Sequence, residues 1–143
     1  MTDIDSREVT GEAAMVEFGR SLAHRLVGAE LVFVRGDLGA GKTTLIRGIL
    51  AGLGHSSPVP SPTYTLLEPY TIDGRDVVHL DLYRLNDPGE LEMLGARDFL
   101  GECLCLVEWP ERADGYLPAP DVDIRIDGSG TASRTVTVER ARR

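Results

Sequence analysis

Apolar residues along this chain change their spacing several times, and each change marks a predicted element. Met15, Phe18, Leu22 and Leu26 recur at helical intervals, which predicts a helix over Glu12–Val27 with Thr10 placed to cap it. Leu31-Val32-Phe33-Val34 is a continuous apolar run, the mark of a strand buried on both faces. It leads straight into a glycine-rich segment, after which Leu45, Ile46, Ile49, Leu50 and Leu53 return to one helical face until Gly54. Ser56–Pro62 carries prolines at 58, 60 and 62 and admits neither helix nor central strand. Thr63–Ile72 and Asp76–Tyr83 then flank Asp73-Gly74 as a hairpin. Asp87-Pro88-Gly89-Glu90 opens a short helix through Leu94, stopped by Gly95. Cys103–Val107 reads as another buried strand. Val122, Ile124 and Ile126, then Val136 and Val138, alternate with polar residues around Asp127-Gly128-Ser129-Gly130, a hairpin buried on one face. Residues 1–9 and 140–143 carry no such pattern and read as flexible ends.

Composition narrows the class. A chain of 143 residues, 42% hydrophobic and 27% charged, is one ordinary globular domain. The formal net charge of −8 opposes a direct grip on nucleic acid, where neutralising phosphates supplies most of the affinity. Arg35 cuts off the apolar run long before it could span a bilayer, and the acidic start lacks the layout of a signal peptide. A cytoplasmic protein is expected. Cys103 and Cys105 stand two apart on one strand face, a poor geometry for a disulfide, and read as core thiols.

One segment carries chemistry. Gly36-Asp37-Leu38-Gly39-Ala40-Gly41-Lys42-Thr43 fits the phosphate-binding P-loop pattern, and Lys42 is the only lysine in a chain whose other fourteen basic residues are arginines. A compact ammonium on a flexible stem suits a loop wrapped around phosphates, where a planar guanidinium does not fit. The glycines let backbone N–H groups and the following helix N-terminus point at phosphate; Lys42 is expected to reach the β- and γ-phosphates and the Thr43 hydroxyl to ligate Mg²⁺. The strand before the loop and the helix after it give the pattern its structural context.

Such a site also needs an acidic residue at the end of a neighbouring strand. Asp81 ends Val77-Val78-His79-Leu80 and Glu108 ends Leu104-Cys105-Leu106-Val107, and the pattern alone does not choose between them. His79, a lone strand histidine, reads first as structural. Guanine-specific NTPases carry an [NT]-K-x-D loop after the P-loop, which a chain with no second lysine cannot contain, so ATP is the expected nucleotide.

Taken together, five segments resemble the bacterial TsaE family, the small ATPase of tRNA threonylcarbamoyladenosine biosynthesis. They are Gly36–Thr44, Ser61-Pro62-Thr63-Tyr64-Thr65-Leu66, His79-Leu80-Asp81-Leu82-Tyr83-Arg84, Glu90-Leu91-Glu92-Met93-Leu94-Gly95 and Glu108-Trp109-Pro110. The resemblance implies an α/β fold, a single P-loop NTPase domain with a central mixed β-sheet flanked by helices. It implies an ATP·Mg²⁺ site with weak intrinsic hydrolysis. Phosphates would be held by Gly39, Ala40, Gly41, Lys42, Thr43 and Thr44, and the metal by Thr43 and Glu108, with Asp81 close by. Lys42, Asp81 and Glu108 would be the catalytic residues. Ser61–Thr65 would form a switch-like loop near the γ-phosphate, and Arg134 and Thr10 would lie near the base. Trp109 would belong either to the core or to the site. The partners implied are a threonylcarbamoyl transferase subunit and its sugar-kinase-like companion, with tRNA reached only through them. Two other readings stay open on residues alone: a small-molecule phosphotransferase, disfavoured by the short connections after the P-loop helix, and a non-catalytic nucleotide switch.

Overall fold

The apolar run Leu31–Val34 lies at the centre of the molecule, inside strand β2 (Leu31–Gly36). The computed structural model describes residues 2–56, 66–128 and 132–141. Alternate residues of β2 supply both faces of the sheet: Val32 and Val34 face one buried cluster, Leu31 and Phe33 the other. That two-sided burial is why the run is continuous rather than alternating.

Around β2 stand six more strands: β1 (Thr2–Thr10), β3 (Leu67–Ile72), β4 (Arg75–Asp81), β5 (Leu104–Glu108), β6 (Val122–Asp127) and β7 (Ser133–Ala141). Their order is β1-β7-β6-β2-β5-β4-β3 in a single mixed sheet. The four central strands are parallel; β3, β7 and β1 join antiparallel.

One face is covered by α1 (Glu12–Leu22), continued by a 3₁₀ turn at Ala23–Leu26, and by α2 (Lys42–Leu53). Leu22, Leu45, Ile46, Ile49 and Leu50 are buried there against Val32, Leu106 and Ile124. Fully burying a side chain of this size contributes about 1.5–3 kcal/mol, so this layer fixes α2, and with it the loop ahead of α2, on the sheet. The two helices touch through glycines, Gly19 on α1 and Gly48 and Gly52 on α2. Gly54 ends α2 in the left-handed conformation at φ 115°, with the His55 N–H returning to the Leu50 carbonyl at 3.0 Å. The opposite face is covered by two short helices, α3 (Gly89–Met93) and α4 (Ala96–Phe99), which bury Leu91 and Ala96 against Leu80, Leu82 and Val107.

Three expectations need correcting. Residues 2–9 are not a loose end: β1 pairs with β7 from Thr2↔Ala141 to Thr10↔Ser133, which also draws residues 140 and 141 into the sheet. As an edge strand in which Val9 alone of the described side chains is buried, β1 presents Asp3, Asp5, Arg7 and Glu8 and shows no apolar alternation. Thr10 is not the cap of α1; Gly11 holds that position and the Thr10 hydroxyl donates to Ser133 Oγ. The expected helix also tightens to 3₁₀ geometry after Leu22. Cys103 and Cys105 are free thiols, their sulfurs 3.8 Å apart, and burial pushes both thiols' pKa up. The Ser61–Thr65 loop and most of the proline-rich stretch lie outside the described residues. Among the described residues no helix is long and apolar enough to cross a membrane.

Candidate active site

Parallel strands deliver their C-terminal ends to one edge of the sheet, and the register decides which residues meet there. Val34↔Glu108 and Asp81↔Glu108 are paired, so Asp81, Glu108 and the exit of β2 stand side by side. Gly36 follows at the end of β2, and the chain turns through Asp37–Ala40 into α2. Gly39 and Gly41 make that turn at φ 82° and 106°, conformations that favour glycine. The first N–H groups of α2 have no carbonyl one turn earlier to bond, which makes the helix start receptive to an anion.

Lys42 is only 4% exposed. Its ammonium donates to the carbonyls of Gly36 at 2.7 Å and Asp37 at 2.8 Å, and lies 4.5 Å from the centre of the Trp109 ring. Burial lowers the lysine pKa from its ordinary value, opposed by the carboxylates of Glu108, Asp81, Glu111 and Asp37. The Thr43 hydroxyl donates to the Glu108 carboxylate, 2.9 Å from Oε2 and 3.1 Å from Oε1. Glu108 is 3% exposed, and His79 Nε2 lies 2.7 Å from its Oε2. Asp81 accepts the Tyr83 N–H at 3.1 Å; burial, followed by the nearby Glu108, raises its pKa above the usual aspartate value.

Two hollows flank the loop. A cleft of about 320 Å³ is lined by Gly41, Lys42, Thr43, Asp81, Glu108 and Trp109. On the other side a pocket of about 300 Å³ is lined by Met15, Gly39, Ala40, Thr44 and Arg134, with Gly11 and Glu12 at the start of α1. Arg134 is tied to the loop itself: its Nε donates to the Ala40 carbonyl at 3.2 Å and its Nη1 to the Gly128 carbonyl at 3.1 Å. Thr10 stands beside this pocket, next to Gly11, and is not among its lining residues.

The oxygen donors of the cleft suit a magnesium ion. Mg²⁺ takes hard oxygen ligands, few of them from protein and the rest from water and phosphate. The Thr43 hydroxyl and Glu108 already touch, and Asp81 lines the same cleft. Thus Lys42, Thr43, Asp81 and Glu108 converge, and Ala40, Thr44 and Arg134 line the second pocket.

Sequence reasoning missed Glu12 and Met15 in that pocket, because both sit on a helix that reads only as core. It also missed the contact of His79 with Glu108 and the tilted ring contact of Tyr83 with Trp109, whose centres are 5.0 Å apart. The signal available was spacing, since His79 and Asp81 necessarily share a strand face. Trp109 itself adopts φ 57°, a left-handed conformation unusual for a bulky residue, which turns the chain away just after Glu108.

Together, the mixed sheet, its flanking helices and the strand–loop–helix at its centre define the P-loop NTPase fold. Comparison with known proteins agrees in detail. The family model described as threonylcarbamoyl adenosine biosynthesis protein TsaE matches residues 9–136. The tRNA threonylcarbamoyladenosine biosynthesis protein TsaE of Haemophilus influenzae is 48% identical over 125 residues, covering 83% of this chain and 79% of its own. Its counterpart from Bacillus subtilis is 38% identical over 109 residues, covering 76% and 68%. The crystal structure of Bacillus subtilis YdiB superposes with a TM-score of 0.77 at 26% identity, covering 98% of this chain and 87% of that one. The chain belongs to the TsaE family.

Proposed function

We propose that the protein is a P-loop ATPase, slow when alone, that serves threonylcarbamoyl modification of the tRNA adenosine beside the anticodon. It would act in the cytoplasm, in a complex with a threonylcarbamoyl transferase subunit and its sugar-kinase-like partner. The observation that carries the reading is the Thr43–Glu108 contact at 2.9 Å beside Lys42, with Asp81 on the adjacent strand. An ammonium, a hydroxyl and two carboxylates around a P-loop are the parts phosphoryl transfer needs, because that reaction relies on positioning and charge stabilisation.

The residues divide the work by their surroundings. Lys42 and the loop backbone neutralise the phosphates. Thr43 and Glu108 would hold Mg²⁺, which would supply positive charge to offset that of the phosphates. Asp81 has the raised proton affinity and, among the described residues, accepts only the Tyr83 backbone N–H, so it is the better group to orient the attacking water. The pocket lined by Met15, Ala40 and Arg134 would take the base, with Met15 supplying apolar surface.

Contact with tRNA would be indirect. A net charge of −8 repels a polyanion over about a Debye length, roughly 8 Å at physiological salt. The test is ATP hydrolysis by the chain alone and with the partner complex plus tRNA, together with tRNA retention by the isolated chain. Stimulation by the complex and no salt-dependent retention are expected. Tight tRNA binding by the chain alone, or no ATP turnover in either setting, would overturn the reading.

A further inference from the structure

His79 is 0% exposed, the most enclosed polar side chain near the site, and nothing above gives it a task. It lies on β4 opposite Leu106 of β5, two residues before the Asp81↔Glu108 pair. Residues two apart share a strand face, so the imidazole rises on the same side of the sheet as Glu108, directly beneath the carboxylate. The 2.7 Å contact joins Nε2 to Oε2, the same oxygen that the Thr43 hydroxyl approaches at 2.9 Å.

An ionised carboxylate only accepts hydrogen bonds, so Nε2 carries the hydrogen. The other ring nitrogen, Nδ1, is buried with no hydrogen-bond partner among the described residues. Leaving a buried polar atom unsatisfied costs stability that an apolar residue of similar size would not lose. Packing alone therefore gives no reason for an imidazole between Val77 and Leu106. The carboxylate does. The terminal torsion of a glutamate is broad and roughly two-fold, so a single hydroxyl contact leaves its plane poorly fixed. A second donor from the rigid strand below pins Oε2 and sets which lone pairs remain for the cleft.

We propose that His79 is a positioning residue for the Mg²⁺–nucleotide site: its Nε2–H holds the Glu108 carboxylate in the orientation that meets Thr43 and the metal. The inference rests on the ATPase reading above. Partners of this kind behind a metal ligand typically affect metal affinity or activity by 10–100-fold.

The test uses two variants of the whole chain. His79→Met fills similar space with no donor, whereas His79→Gln returns an amide N–H at comparable reach. Three quantities are measured for each: ADP affinity in EDTA, the Mg²⁺ concentration giving half-maximal gain in ADP affinity, and kcat for ATP with the partner complex present. For His79→Met, the EDTA affinity should stay within about threefold of wild type, because the loop is untouched. Its Mg²⁺ requirement should rise, and its kcat fall, by about 10–100-fold. His79→Gln should recover most of both.

Wild-type Mg²⁺ dependence and kcat in His79→Met would overturn the proposal, as would equal defects in a folded His79→Gln. Failure of both variants to give a cooperative urea transition would make the imidazole structural and overturn it as well. If wild type itself bound no ADP with Mg²⁺, the ATPase reading would fall first. If wild type bound and turned over while the variants matched it, only the role of His79 would fall.

Discussion

Gly48→Ala should destabilise this protein, although alanine is the better helix former. In an open helix the exchange would contribute about 1 kcal/mol in favour of folding. Here the methyl group would run into the Val16 carbonyl and come within 3.0 Å of Gly19 Cα, both backbone atoms of α1. Neither neighbour can rotate away, so α1 and α2 must part. Forcing an extra methyl into packed surroundings typically costs about 1–3 kcal/mol, and a rigid wall on two sides puts this site at the upper end. A net loss of about 2 kcal/mol remains after the propensity gain, or roughly 8 °C in Tm for a domain of this size. Urea unfolding of the ligand-free protein measures it directly. Nucleotide affinity should fall too, since Glu12 and Met15 reach the pocket from α1 while Thr44 reaches it from α2. An unfolding midpoint equal to wild type or above it would refute the reasoning, because it would mean the helices are not in backbone contact.

Three further outcomes bear on the site. Lys42→Ala should lose measurable ATP binding by calorimetry while remaining folded, since burial of the charge already works against the lysine; wild-type affinity would remove Lys42 from the phosphate site. Glu108→Gln should still bind ATP but turn it over about two orders of magnitude more slowly; persistent hydrolysis there, with loss in Asp81→Asn, would exchange the two carboxylates' roles. Asp81→Asn should raise the ligand-free melting temperature at pH 7. The raised aspartate pKa means that folding takes up a proton between the unfolded and folded values, so wild-type stability falls as pH rises through that window. The variant's advantage should therefore shrink as pH falls through that window and be gone below the ordinary aspartate value, and a lower melting temperature at pH 7 would contradict the burial argument.

Legibility in the sequence followed the strength of the periodic signal. The run Leu31–Val34, the α2 face and the Asp73-Gly74 turn were legible because each is set by local residues that no distant contact overrides. Strand β1 was not, because its pairing with β7 spans nearly the whole chain and its exposed side chains are those of a protected edge. Thr10 looked like a cap only because helix starts favour threonine; the strand carries it one residue short of the helix, where it bonds across to Ser133 instead. The choice between Asp81 and Glu108 could not be made from pattern, since both end apolar strands. Register shows that the ambiguity was real: they are neighbours, and their environments separate them, Glu108 in contact with Thr43 and His79 and Asp81 raised by burial. His79 was read as structural because a single histidine has no spacing partner in sequence. Its partner lies 29 residues away on the next strand.

That dependence on register explains why so much chemistry rests on so few residues. β4, β5 and β2 are consecutive in the sheet and parallel, so their last residues emerge together at one edge, where ligands of open α/β sheets bind. The alternation along β5 places Leu104, Leu106 and Glu108 on the α2 face and Cys105 and Val107 on the other. A slip of one residue in the pairing of β5 would turn Glu108 away from Thr43 and present Val107 to the cleft. The two buried clusters forbid that slip: it would also move Leu106 from beneath α2 to the layer filled by Leu80 and Leu82. Core packing and site geometry are therefore one constraint. The apolar residues that marked β5 as a buried strand are what hold its final carboxylate beside Thr43, His79 and Asp81.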